Sequence, residues 1–107
     1  MATSVEFIEF VCEQIRVNFP VTYKKMFGEY MVYVNSKPVL LVCDNRVFVK
    51  KLEELNKLLK DAEVDVPYKG VKEHYVLDIE NLDLTNNVIL ILEKITPLPK
   101  KKKAKLV

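Results

Sequence analysis

The 107-residue chain has no tryptophan, two glycines, two cysteines and one histidine, and each shortage closes off a class of function. Gly28 and Gly70 stand alone, so no glycine-rich phosphate loop can be built. So few glycines also leave little room for long flexible stretches. One histidine and two distant cysteines fall short of the three or four spaced ligands that a zinc site needs. Cys12 and Cys43 match no metal or redox spacing and read as reduced core residues, since a free cysteine packs as a small hydrophobe. His74 would need one of those thiols to make a nucleophilic dyad, and no local motif supports the pairing. Glu53-Glu54 and the set Asp61, Glu63 and Asp65 read as solvated charge rather than acid–base groups. No cofactor and no metal are expected, and the chain is not expected to be an enzyme.

Long apolar runs are missing as well. The longest aliphatic stretch, Val88 to Leu92, is about a quarter of a membrane span. Met1 to Ser4 lacks the basic and apolar regions of a secretory signal. The expectation is a cytoplasmic protein that does not engage a membrane.

What the chain does have is a balance of 50% hydrophobic and 30% charged residues, typical of one globular domain. Its formal net charge of +2 is unevenly spread. Residues 100–107 hold five of the 17 basic residues, which leaves 12 basic against 15 acidic groups, or −3, in the body. A folded surface built to grip nucleic acid normally has a basic excess, and this body has none. The division is a domain over 1–96 and a lysine-rich tail over 97–107.

Thr3-Ser4-Val5-Glu6 has the capping-box form, and behind it Ile8, Val11, Cys12, Ile15 and Phe19 recur at helical spacing. Pro20 stops the pattern, so the first helix is placed at about 4–18. Strands follow: Val21 to Met26, then Tyr30 to Val34 after the interruption at Phe27-Gly28-Glu29, then Pro38 to Cys43 and Arg46 to Lys50. Asn35-Ser36-Lys37 supplies a turn. Asp44-Asn45 is a two-residue hairpin signal, because both side chains tolerate positive φ. Short turns between consecutive strands imply an antiparallel meander. Leu52, Leu55, Leu58 and Leu59 suggest a short second helix, residues 61–73 a loop, His74 to Ile79 a fifth strand, and Asp83 to Ile95 a last helix. The fold class is therefore α+β: an antiparallel sheet of about five strands flanked by helices, in the order α-β-β-β-β-α-β-α.

Two features invite a functional reading. The tail lysines Lys100, Lys101, Lys102, Lys103 and Lys105 suit salt-sensitive, sequence-independent contact with nucleic acid. The segment Lys25-Met26-Phe27-Gly28-Glu29-Tyr30 places a glycine among large side chains between two strands, which marks a bulge or a close backbone approach.

That segment resembles the signature of the TfoX amino-terminal domain family of bacterial competence regulators. The shared elements are Lys25-Met26-Phe27-Gly28, the strand from Tyr30 to Tyr33, Lys37, the apolar strand Val39 to Val42, Asp44-Asn45-Arg46 with Lys50, Pro67-Tyr68, and the strand from Tyr75 to Asp78. The resemblance covers about residues 3–96. It implies an antiparallel sheet flanked by helices, similar to type III secretion chaperones. It also implies a regulatory role beside the transcription machinery, with no catalytic residue to transfer. Glu29 stands where many members have a second glycine, and the carboxy-terminal helical domain of the full-length regulators is replaced by the lysine tail.

Two functions are expected from these features. The first is a non-enzymatic protein-interaction module with a transcription-related protein partner, whose contact surface is drawn from Lys25, Phe27, Gly28, Tyr30, Arg46 and Lys50. The second is a nucleic-acid accessory protein acting through the tail. A homodimer formed by an edge strand or the last helix is compatible with either.

Overall fold

The computed structural model describes residues 3–26 and 29–98. Helix α1 spans Val5–Gln14, strands β1 to β4 span Val21–Met26, Glu29–Val34, Lys37–Cys43 and Arg46–Lys50, and a 3₁₀ turn covers Glu53–Leu55. Strands β5 (Val64–Asp65) and β6 (His74–Val76) and helix α2 (Leu82–Ile95) complete the chain. All six strands form one antiparallel sheet in the order β1-β2-β3-β4-β6-β5.

The expected meander is present in β1 to β4, and its turns explain it. Asn35 and Ser36 hold φ of 54° and 66°, and Asp44 and Asn45 hold 54° and 57°. Positive φ at both central residues gives a turn whose twist matches that of the flanking strands.

Strand register then sorts the side chains. Tyr23, Tyr30, Val32, Val34, Leu40, Val42, Val47, Val49 and Tyr75 point to one side of the sheet. All of these except the exposed Tyr23 form the core with Ile8, Val11 and Ile15 from α1 and its end, and Val88, Ile89 and Leu92 from α2. Both helices thus cover the same face. Each fully buried aliphatic side chain there contributes about 1.5–3 kcal/mol.

The other face carries Lys24, Met31, Tyr33, Leu41, Cys43, Arg46, Phe48, Lys50, His74 and Val76, with Met31, Tyr33, Leu41 and Val76 half-buried. Phe48 is buried in the middle of it, with the Arg46 guanidinium 5.2 Å from its ring centroid and the His74 ring edge-on at 6.5 Å.

Several boundaries differ from the sequence expectation. Helix α1 ends at Gln14, not near residue 18, because Asn86 on α2 takes over its terminus. The Asn86 side chain accepts from the Arg16 N–H at 2.7 Å and donates to the Gln14 carbonyl at 3.1 Å. Its cap is Ser4, whose hydroxyl accepts from the Phe7 N–H at 3.1 Å. Thr3, read as the start of a capping box, is instead buried in a tertiary contact, donating to Glu29 at 3.0 Å and accepting from the Asn45 N–H at 3.2 Å. The second helix is only the 3₁₀ turn and the turns after it. Leu55 and Leu59 are fully buried as their spacing suggested, but so short a segment between two strands does not sustain α-helix. The loop assigned to 61–73 contains β5, a sixth strand. The β6 strand ends at Val76 rather than Ile79, although Leu77 still donates to the Val47 carbonyl at 2.8 Å.

Candidate functional site

The described surface offers one long, uncovered stretch of backbone: the outer margin of β1. Asn35 donates to the Pro20 carbonyl at 2.9 Å, and the register continues Val21↔Val34 to Met26↔Glu29. In an antiparallel pair, every second residue exchanges both backbone bonds with its opposite. Thr22, Lys24 and Met26 therefore bond to β2, while Val21, Tyr23 and Lys25 turn their N–H and C=O groups away from the sheet. Every residue from Thr22 to Met26 is exposed, including the large side chains of Tyr23 and Met26. The ring of Tyr23 meets that of buried Tyr30 edge-on at 5.5 Å, which ties the edge to the core.

The structure places the sequence-derived contact residues apart. Lys25 lies on β1 with its side chain on the helix-covered side, as does Tyr30, which at 4% exposure is a core residue. Arg46 and Lys50 lie on β4 and on the opposite face, three strand spacings or about 14 Å across the sheet. Phe27, Gly28 and the tail lysines Lys100, Lys101, Lys102, Lys103 and Lys105 lie outside the described residues. Arg46 is moreover committed. Its guanidinium donates to Asp65 and to Glu63, each at 2.9 Å. The hydrogen bond from Arg46, with one from the Val66 N–H, holds the Asp65 carboxyl below the usual carboxylate range. Glu63 and Asp65, read as solvated charge, are thus partners of Arg46. The missed signal was the alternation Val64-Asp65-Val66.

The reactive side chains are not brought together. Cys12 lies on α1, on the helix-covered side, and His74 faces the other way. Cys43 shares the His74 face, but the register sets them two strands and four residues apart, roughly 16 Å. The His74 ring nitrogen Nδ1 lies 2.8 Å from the Lys72 carbonyl. Burial, reinforced by Glu9, pushes the Cys12 thiol up to about 11. Burial with Glu29 and Asp44 does the same for Cys43. Both cysteines are free. Among the described residues, no group of three or more His, Cys, Asp or Glu side chains is placed to share an ion, and no helix is long and apolar enough to cross a membrane.

A groove of about 440 Å³ lies between the turns after β4 and the start of α2, with Leu58, Leu59, Leu77 and Leu84 in its walls and Asp61, Glu63 and Asp78 at its rim.

With this geometry in view, one relative is informative. The chain is 33% identical over 107 aligned positions to an uncharacterized 12.7 kDa protein encoded in the trpE 5′ region of Spirochaeta aurantia, covering 98% of this chain and 93% of the relative. The chain belongs to that protein's family. No family model and no solved structure matches it. End-to-end coverage means that the relative spans the whole sheet and both helices, so the β1 margin falls within the shared region.

Proposed function

We propose that this protein is a cytoplasmic, non-enzymatic regulatory module, resembling a stand-alone TfoX amino-terminal domain, that binds a transcription-related partner protein by accepting one of its strands at β1. The observation that carries the reading is the open margin itself: six residues of edge strand with the backbone groups of Val21, Tyr23 and Lys25 directed outward. An added strand draws affinity from such main-chain hydrogen bonds and specificity from alternate side chains. The regulatory class rests on the resemblance at Lys25-Met26-Phe27-Gly28 and Asp44-Asn45-Arg46.

Tyr23→Pro tests the reading. Proline removes an outward N–H and leaves the bonds of Thr22, Lys24 and Met26 to β2 in place. Pull-down with the wild-type chain should recover a partner that Tyr23→Pro loses, while thermal melting shows the variant folded. A partner held equally by both would end the strand-addition reading.

The five tail lysines favour a second reading, a nucleic-acid accessory protein. It requires binding that falls steeply between about 50 and 200 mM salt and disappears when residues 97–107 are deleted. Partner capture that survives this deletion supports β1 instead.

A further inference from the structure

We infer that the strand received at β1 is acidic, with two consecutive carboxylate residues flanked by apolar ones. This rests on the strand-addition reading above and adds the chemistry of the partner.

β1 reads Val21-Thr22-Tyr23-Lys24-Lys25-Met26, with two adjacent ammonium groups and no carboxylate. In the strand they project to opposite faces, Lys24 to the open face and Lys25 to the helix side. Their opposites on β2 are Met31 and Tyr30, both uncharged. Most cations elsewhere on or beside the sheet have been answered: Lys37 pairs with Glu93, Arg46 with Glu63 and Asp65, and Lys51, just past β4, with Glu73, while Lys50 at the end of β4 has no ion pair among the described residues. Neither Lys24 nor Lys25 has an ion pair among the described residues. Lys24 rests 5.7 Å from the centroid of the Tyr33 ring, a contact that keeps its charge at the margin.

A strand laid along this margin sets its side chains opposite those of β1, on both faces. Every pairing in the sheet is antiparallel. Continued in that sense, the incoming strand reads, in its own chain direction, an apolar residue opposite Met26, acidic residues opposite Lys25 and Lys24, and an apolar or aromatic residue opposite Tyr23. A carboxylate on each face meets each ammonium. A second copy of β1 fits less well: of the two antiparallel registers that centre the strands, one sets Lys24 against Lys24, where like charges destabilise a pair, and the other sets Lys24 and Lys25 against Thr22 and Val21, so neither supplies a carboxylate.

The test is titration of the ¹⁵N-labelled full chain with the blocked peptide Thr-Val-Glu-Glu-Val-Thr and its counterpart with two lysines in place of the glutamates. The acidic peptide is expected to shift the amides of Val21, Tyr23 and Lys25 and slow their exchange more than those of Thr22, Lys24 and Met26. It should bind about tenfold more tightly than the lysine peptide at low salt, with the margin shrinking as salt is raised. The double variant Lys24→Glu/Lys25→Glu should reverse the preference. Three results overturn the inference: no shift at β1 up to about 10 mM peptide, equal response to both peptides, or protection of the same amides that rises with protein concentration alone. The first would mean that the lysines only guard the edge against aggregation, and the last that a second copy is the occupant. Failure of both peptides while Tyr23→Pro still abolishes partner capture would refute the acidic strand and leave strand addition standing.

Discussion

β1 and β5 close the same sheet at opposite margins, yet β1 runs for six residues with every residue past Val21 exposed, whereas β5 runs for two. The β5 margin is blunted in three ways. It is short, Pro67 follows within two residues, and Asp65 is tied back to Arg46 on β4. Shortness, proline and engaged charge are the devices by which sheets discourage further pairing. At β1 only the two lysines stand in the way, and their charge selects among incoming strands as well as repelling like ones. One margin of the sheet is short and tied back, and the other is long and exposed, the margin at which we propose that an acidic strand is received.

The sharpest way to break the contrast is a proline scan along β1. Lys24→Pro removes a bond to β2 and strands its acceptor, so urea unfolding should show a loss of about 2–4 kcal/mol. Lys25→Pro touches only an outward donor and should cost no more than about 1 kcal/mol. Equal losses would mean that the outward and inward residues have been assigned the wrong way round.

At the other margin, Arg46→Ala releases both Glu63 and Asp65. Partly exposed ion pairs are worth little, so about 0.5–1.5 kcal/mol is expected in unfolding. Amide exchange should quicken at Val64, Asp65 and Val76 and stay unchanged along β1. A uniform response across the sheet would show that Arg46 supports the whole molecule rather than its β5 edge.

Acid should separate the margins more gently. The Asp65 carboxyl is held down chiefly by Arg46, and that of Glu93 by hydrogen bonds from Asn35 and then Lys37. A depressed carboxyl contributes stability above its ordinary pKa, and the contribution is lost as pH falls through the lowered value. Below about pH 4, β5 and the β2–β3 hairpin should loosen, as followed by exchange, while the β1–β2 ladder, which contains neither carboxyl, holds until global unfolding. Early loss of β1 would contradict this.

The smallest effect is expected at the thiols, which lie at neither margin. With Cys12 and Cys43 both raised to about 11, folding favours the neutral forms, so stability is full below the ordinary thiol range and declines as pH rises from about 9 toward 11. Thiol reagent at pH 7 should label the native chain far more slowly than the urea-unfolded one; comparable rates would refute the burial account.

Much of this fold could be read from residue order. Helical spacing located α1 and α2, the turn Asn35-Ser36-Lys37 and the positive-φ pair Asp44-Asn45 located two hairpins, and β-branched runs located β1 to β4. Where the reading failed, the deciding contact came from far along the chain. Nothing near Gln14 announces that Asn86 will end α1, and nothing near Thr3 announces Glu29 and Asn45. Leu55 and Leu59 showed which side is buried but not that the segment is too cramped for an α-helix. The contact surface was harder still, because composition alone does not say which of two adjacent lysines faces which side, or that Arg46 is already engaged. Only the strand order, with β6 added beside β4 and not beside β1, shows β1 to be an edge.

The Asn86 side chain has a consequence for how the molecule is made. It bonds the Arg16 amide and the Gln14 carbonyl at one end of its reach, and the Leu82 carbonyl of its own helix at 2.9 Å. Synthesis reaches α1 before α2, so α1 cannot be finished until Asn86, 72 residues beyond Gln14, has been made. A helix made before the sheet is thus among the last to settle, and a nascent chain halted before α2 would leave part of the apolar wall of its sheet without the cover of Val88, Ile89 and Leu92, available to a chaperone.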